Sequence, residues 1–231
     1  MRTFPLTAAW LVCAATALTF VSVPPAQAKD APPQVSQDGL ELVKSTKTRL
    51  VYVKPGATFS QYDRVAILDC YVEFEKDWQK DYNASRIGLE GRVTDQDVER
   101  IKTDLAAEFK KVFVDELQNK GGYQVVDVVA PDVLLLRPAL LNVEVNAPDI
   151  VTAGISRTVV RSAGQMTLYL ELWDPSTKTL LARIEDARED DQAFGQIANR
   201  ATNKAAADQI LREWAEELRK RLDTVRGKTD Q

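Results

Sequence analysis

The stretch that most restricts how this chain can fold runs from Gly164 to Arg188. There Met166, Leu168, Leu170 and Leu172 alternate with Thr167, Tyr169 and Glu171. A period of two places the apolar residues on one face of a strand and the polar residues on the other. After the turn-forming run Asp174-Pro175-Ser176-Thr177-Lys178, the alternation resumes with Leu180, Ala182 and Ile184 set against Arg183 and Glu185. The pattern predicts a hairpin with one apolar face, and another part of the chain must cover that face.

Two segments have the pattern to do so. Thr94-Asp95-Gln96-Asp97 opens the first in the manner of a capping box, with Asp in place of the preferred Glu. Val98, Ile101, Leu105, Phe109, Val112 and Phe113 then recur at helical spacing until Gly121-Gly122. The second starts near Asp191 and carries Ile197, Ala201, Ala205, Leu211, Trp214, Leu218, Leu222 and Val225, with Glu216/Lys220 and Glu217/Arg221 placed as i,i+4 ion pairs. Its alanine-rich front half permits close approach to a sheet, and Trp214 is placed to anchor it.

Further strands complete the sheet. Arg49–Val53 is a short one. Arg64–Glu75 reads as one central strand, with Cys70 in mid-strand on the buried face as a small hydrophobe. Tyr123–Val129 and Asp132–Asn146 read as two more, and Pro138, which cannot donate to a ladder, marks a bulge or an edge in the second. The strand is expected to be central before that proline and exposed after it. The connection 148–163 is compatible with a flap and with an extension of the flanking strands. The expected class is α+β, a mostly antiparallel sheet of about five to seven strands with two long amphipathic helices packed on one face.

The chain begins with Arg2, an apolar run from about Leu6 to Val23, then Pro24-Pro25 and the small-residue site Ala26-Gln27-Ala28. That order predicts a secretory signal peptide over 1–28, cleaved before Lys29. Trp10 and Val12 before Cys13 argue against lipid attachment, which favours a small residue there. Residues 29–39 are polar and proline-bearing, and are expected to be a flexible leader to a single domain over 40–226, with 227–231 a disordered tail. The expected location is the periplasm, with possible outer-membrane association.

The composition excludes several chemistries. The 231 residues contain no histidine, which removes histidine triads, histidine zinc sites and histidine general bases. The formal net charge of −4 carries no basic excess of the kind nucleic-acid binding requires. Processing would leave Cys70 as the one cysteine, so no intramolecular disulfide could form. No glycine-rich phosphate loop is present, and Gly154-Ile155-Ser156 lacks both the spacing of a nucleophile elbow and a histidine to serve it. No metal site, cofactor or catalytic residue is expected.

Between the second strand and the first long helix, 76–92 shows no clear period and holds Trp78 and Tyr82 among charges. Structureless loops of this length are often functional, so Trp78, Tyr82 and Arg86 are the candidate ligand- or partner-binding residues. The competing reading folds both rings back over the edge of the core.

Several motifs carry a resemblance. Asp38-Gly39-Leu40, Tyr52-Val53-Lys54-Pro55-Gly56-Ala57, Phe59-Ser60-Gln61-Tyr62-Asp63-Arg64-Val65, and later Leu172-Trp173-Asp174 with Thr177 and Leu180-Leu181-Ala182, resemble the bacterial family catalogued as domain of unknown function 3313. The resemblance covers nearly all of the chain after the signal segment and implies a secreted or lipoprotein-like envelope protein of Gram-negative bacteria. Lys178 stands where such hairpins usually carry Gly, so a tight turn with positive φ is disfavoured there. The order of elements is also similar to small periplasmic α+β modules of outer-membrane assembly factors, an analogy of fold alone.

Two functions follow as expectations. The first is a non-catalytic periplasmic binding or assembly module, acting on an unidentified envelope protein or surface ligand. The alternative is a carboxylate-based, glycosidase-like hydrolase drawing on Asp69, Glu73, Asp77 and Asp81, which would need two carboxyls about 5–9.5 Å apart in a cleft.

Overall fold

The computed structural model describes residues 31–84, 91–146, 158–160, 164–189, 196–198 and 200–227. The signal segment 1–28, Arg86, most of the 148–163 connection and 228–231 lie outside them. The strands are β1 (Glu41–Ser45), β2 (Arg49–Val53), β3 (Arg64–Ile67), β4 (Tyr71–Phe74), β5 (Gln124–Val125), β6 (Val133–Val145), β7 (Thr158–Val160), β8 (Gly164–Asp174), β9 (Thr179–Glu189) and β10 (Gln196–Ala198). The helices are α1 (Trp78–Ala84), α2 (Asp95–Val114), continued by a π-helical turn at Asp115–Lys120, and α3 (Arg200–Val225).

The hairpin forms as its alternation requires. β8 and β9 pair antiparallel from Gln165↔Glu189 to Asp174↔Thr179. In the turn, the Asp174 carboxylate accepts hydrogen bonds from the amides of Ser176 (2.9 Å) and Thr177 (3.3 Å). Lys178 nevertheless adopts φ +54°, the conformation disfavoured on sequence grounds. The Asp174 bonds and the β8–β9 ladder that the turn closes over-determine it and force the lysine into it. Lys178→Gly is therefore expected to raise stability by about 0.5–1 kcal/mol, the left-handed penalty less the entropy glycine gains when unfolded. Urea unfolding of the two proteins checks it.

The sheet is larger than expected and mixed. Its order is β1-β2-β9-β8-β6-β3-β5, with β4 also paired to β6, and β7 and β10 form a separate two-stranded ladder. The β1-β2-β9-β8-β6 half is antiparallel. β3 and β4 pair parallel to β6, and β5 parallel to β3, so "mostly antiparallel" does not describe it. The reason is β6, which is paired along both sides.

That pairing also explains why the expected strand 64–75 is split. On one side β6 places Pro138 opposite Leu170 of β8. On the other, β3 ends with Ile67 opposite Leu136, and β4 begins with Tyr71 opposite Ala139. The two positions left without a parallel partner are Arg137 and Pro138, the second of which lacks an N–H. Pro138 thus sits in a central strand, and the interruption falls on its neighbour. The second half of β6 is not exposed: Leu140 and Val143 are buried, and a bulge at Asn142 (φ +50°) follows Leu141.

The core lies on one face of this sheet. Val65, Leu134, Leu136, Leu140, Leu168 and Leu170 face Phe109, Val112, Phe113 and Leu117 of α2 and its π turn, and Leu211, Trp214, Leu218 and Leu222 of α3. The capping box is present, with Thr94 Oγ1 accepting from the Asp97 amide and Asp97 accepting from the Thr94 amide (3.0 Å). On the opposite face, the expected leader is in part fixed to the sheet. Val35 bridges to Glu41, Tyr52 donates to the Pro33 carbonyl (3.1 Å), and Arg183 pairs with Asp38 (2.6 Å), covering Leu40, Tyr52 and Leu180. Among the described residues no helix is long and apolar enough to cross a membrane.

Candidate functional site

The aromatic run expected to form a binding lip is a short helix. In α1, Trp78 is buried and stacks on Phe74 (ring centroids 4.3 Å apart), with half-buried Tyr82 tilted against it at 5.9 Å. The next turn is stapled to the start of α2, since the Asn83 amide accepts from Val93 N–H (2.8 Å) and donates to its carbonyl (2.9 Å). Trp78 and Tyr82 thus come together, turned toward the edge of the sheet, and Arg86 lies outside the described residues.

A different place forms a concavity. At the end of β6 the Asn142 bulge brings the start of β8 so close that a Cβ on Gly164 would stand 2.1 Å from the Glu144 carbonyl oxygen. Only glycine allows that approach. The floor so formed, Val143, Val145 and Met166, meets Ile101 and Leu105 of α2 and Ala207 and Ile210 of α3 around a cleft of about 280 Å³. The alanines at 206 and 207 leave the volume that larger side chains would fill.

The rim is polar. Arg100, Asp104 and Glu108 come from α2, Asn203 and Lys204 from α3, and Glu144 from β6. Glu108, itself buried, accepts from Lys204 across the cleft (2.5 Å) and from Lys111 on its own helix (2.9 Å). These bonds, that to Lys204 above all, hold its carboxyl down to about 2 despite burial, which acts the other way. This residue was missed in the sequence; the signal that could have found it is a carboxylate between Leu105 and Phe109 in an otherwise apolar stripe, which a partner from a facing element must satisfy.

Because the folded-state pKa of Glu108 lies below the ordinary value of 4.5, its contribution is present above that pH and is lost as pH falls toward 2. Both lysines are solvent-exposed, which cuts the contribution to about 1 kcal/mol. Glu108→Gln is expected to lose that amount in urea unfolding at pH 7, and the gap should close near pH 2. A gap independent of pH would contradict the assignment.

The chemistry of the remaining groups is structural. Cys70 is half-buried in the break between β3 and β4, and desolvation pushes its thiol up to about 12 although the Leu140 amide donates to the sulfur. Such a thiol is a poor nucleophile at neutral pH. Asp69, Glu73, Asp77 and Asp81 are all exposed. Among the described residues, every carboxyl with a resolved shift, Asp97, Glu108, Asp115, Asp132, Asp174 and Glu216, is held below its ordinary value. No group of three or more His, Cys, Asp or Glu side chains that could hold a metal occurs among the described residues.

The profile of the family described as "Protein of unknown function (DUF3313)" matches residues 34–218, from the first bridge to β1 into the last third of α3. The chain belongs to the DUF3313 family. The match spans every strand and helix named above except the final turns of α3. The DUF3313 chain is also distantly similar to two solved structures. The PelC dodecamer from Paraburkholderia phytofirmans is 12% identical, with 72% of this chain and 96% of that chain covered and a TM-score of 0.36. Protein XCC0632 from Xanthomonas campestris is 14% identical, with 72% and 86% covered and a TM-score of 0.35. Likenesses at this level assign nothing to the DUF3313 chain. No curated protein matches it.

Proposed function

We propose that this DUF3313 protein is a non-catalytic binding module of the bacterial cell envelope, and that the cleft between α2, α3 and the end of β6 takes one small amphiphilic molecule. The observation that carries the reading is an apolar floor under a ring of charged side chains. Small-molecule sites are mostly apolar concavities with a few polar groups that orient the ligand. A volume of about 280 Å³ is at the lower end of that class and suits a single ring system or one short alkyl chain.

The hydrolase alternative finds less support. A glycosidase acid must keep its proton near neutrality, so its pKa is raised, whereas Glu108 at the cleft is driven in the opposite direction by Lys204. The envelope assignment rests on the signal-like segment 1–28, and fractionation of cells producing the full chain tests it.

Titration with the apolar fluorophore N-phenyl-1-naphthylamine tests the cleft. Saturable binding in the range of about 1–50 μM is expected, weakened about tenfold or more by Ala207→Phe, which fills the cleft from the α3 side, at a melting temperature within a few degrees of the parent. Binding that is absent, or indifferent to Ala207→Phe, would overturn the reading.

A further inference from the structure

The two long helices cover one face of the sheet, and residues 33–40 cover part of the other, over β2 and β9. Among the described residues, the rest of that second face, over β3, β4 and β6, presents exposed side chains. Alternation puts Leu135, Arg137, Ala139 and Leu141 of β6 on it, since Leu134, Leu136 and Leu140 point into the core. Tyr71 lies opposite Ala139, Leu68 is bonded through its amide to the Leu136 carbonyl, and Glu73 follows two residues beyond Tyr71. Leu68 is 45% exposed, Tyr71 59%, and the Arg137 side chain 67%. An exposed tyrosine and arginine beside an exposed leucine combine the two residue types enriched at interface centres with apolar surface.

The neighbouring groups hold this patch rigid. Glu171, buried beside it, accepts from Tyr169 (3.0 Å), Trp173 (3.1 Å) and Arg183 (3.2 Å), and Arg137 is only a distant fourth partner at 3.5 Å. The Arg183 guanidinium also covers the Tyr169 ring at 5.6 Å. Arg137 therefore keeps a largely exposed charge on a preorganised surface. The arrangement of charge about Tyr71 and Ala139 is the informative part. On β6 the cation Arg137 lies two residues to one side of Ala139, and on β4 the anion Glu73 lies two residues to the other side of Tyr71.

We propose that this half-face pairs with the same half-face of a second copy of the chain. A two-fold axis lying between the sheets, along the row Tyr71–Ala139, sets the tyrosines against one another. It exchanges the two ends of each strand, so that Arg137 of each copy comes within one strand spacing, about 4.8 Å, of the position over Glu73 of the other. A patch with cation and anion on opposite sides of an apolar centre is complementary to itself under that operation. Each copy meets opposite charge, whereas a partner of single sign would leave one of the two unmatched.

Sedimentation equilibrium on the full chain tests this. The parent is expected to dimerise at about 10–100 μM. Arg137→Glu and Glu73→Arg, each placing like charges together, should each weaken the dimer about tenfold or more, and the double variant Arg137→Glu/Glu73→Arg should recover it to within about threefold. Tyr71→Ala should weaken it without altering the melting temperature, since the ring is exposed. A parent that stays monomeric overturns the proposal. A dimer that tolerates all three single variants, or single variants that the double does not rescue, also overturns it. These outcomes are independent of the cleft, which lies on the other face of the sheet.

Discussion

Trp214→Ala is expected to lower the free energy of unfolding by about 3–5 kcal/mol, which for a chain of this size corresponds to a fall of about 6–20 °C in melting temperature. The indole is buried at the centre of α3, its ring packs in the main core, and the Arg188 guanidinium lies 5.6 Å from the ring centroid. Deleting it leaves a cavity that the closely packed strands cannot collapse around, and it also removes the donor to Asp186 at 2.7 Å. Trp214→Phe keeps most of the packing and loses only the donor, so it should cost about 1–2 kcal/mol. Urea unfolding followed by circular dichroism measures both. A loss below about 1 kcal/mol for the alanine variant would mean that α3 is not held to the sheet through this residue.

The second large effect is on the partner of that indole. Asp186→Ala is expected to cost about 3–5 kcal/mol, because it strands charges that nothing else neutralises fully. The buried Asp186 carboxylate accepts from Arg49 of β2 (2.5 Å), from Arg188 of β9 (3.1 Å) and from Trp214 of α3. Arg49 also reaches Glu217 of α3, and Arg188 reaches Glu213 and Glu217, so the cluster ties two strands to the last helix. Asp186 pushes the pKa of Arg49 up in the parent, and a guanidinium without that partner still keeps its proton, so in the variant the charge stays and carries the penalty. Since Trp214 and Asp186 share one bond, the double variant Trp214→Phe/Asp186→Ala should cost less than the sum of its parts. Strict additivity in the same unfolding assay would show that the bond contributes nothing.

Reading the sequence succeeded where the physical cause was local and stopped where it was not. The β8–β9 hairpin and the Thr94 capping box were legible because alternation and capping are set within a few residues. The break between Ile67 and Tyr71 was not, because its cause, Pro138, is nearly seventy residues away and acts only once the strands are side by side. Helix α1 was missed because seven residues are too few to display a helical period, and its stability comes from Trp78 on Phe74 and from Asn83 on Val93. Parallel pairing left no mark either, since the two directions impose the same burial on β3 and β4. The cleft belongs to no single segment. It needs the Gly164 approach, the alanines of α3 and the front of α2 together, and the sequence reading missed it, Glu108 included.

The interruption at Pro138 has a bearing on how the molecule breathes. With β3 and β4 hung separately on β6, no hydrogen-bonded register runs from one to the other, and disturbance at Leu68–Cys70 has no zipper to travel along. The α1 end of the sheet can therefore open in excursions that leave the Tyr62–Val65 end closed, two independent exchange units sharing a single backbone spine.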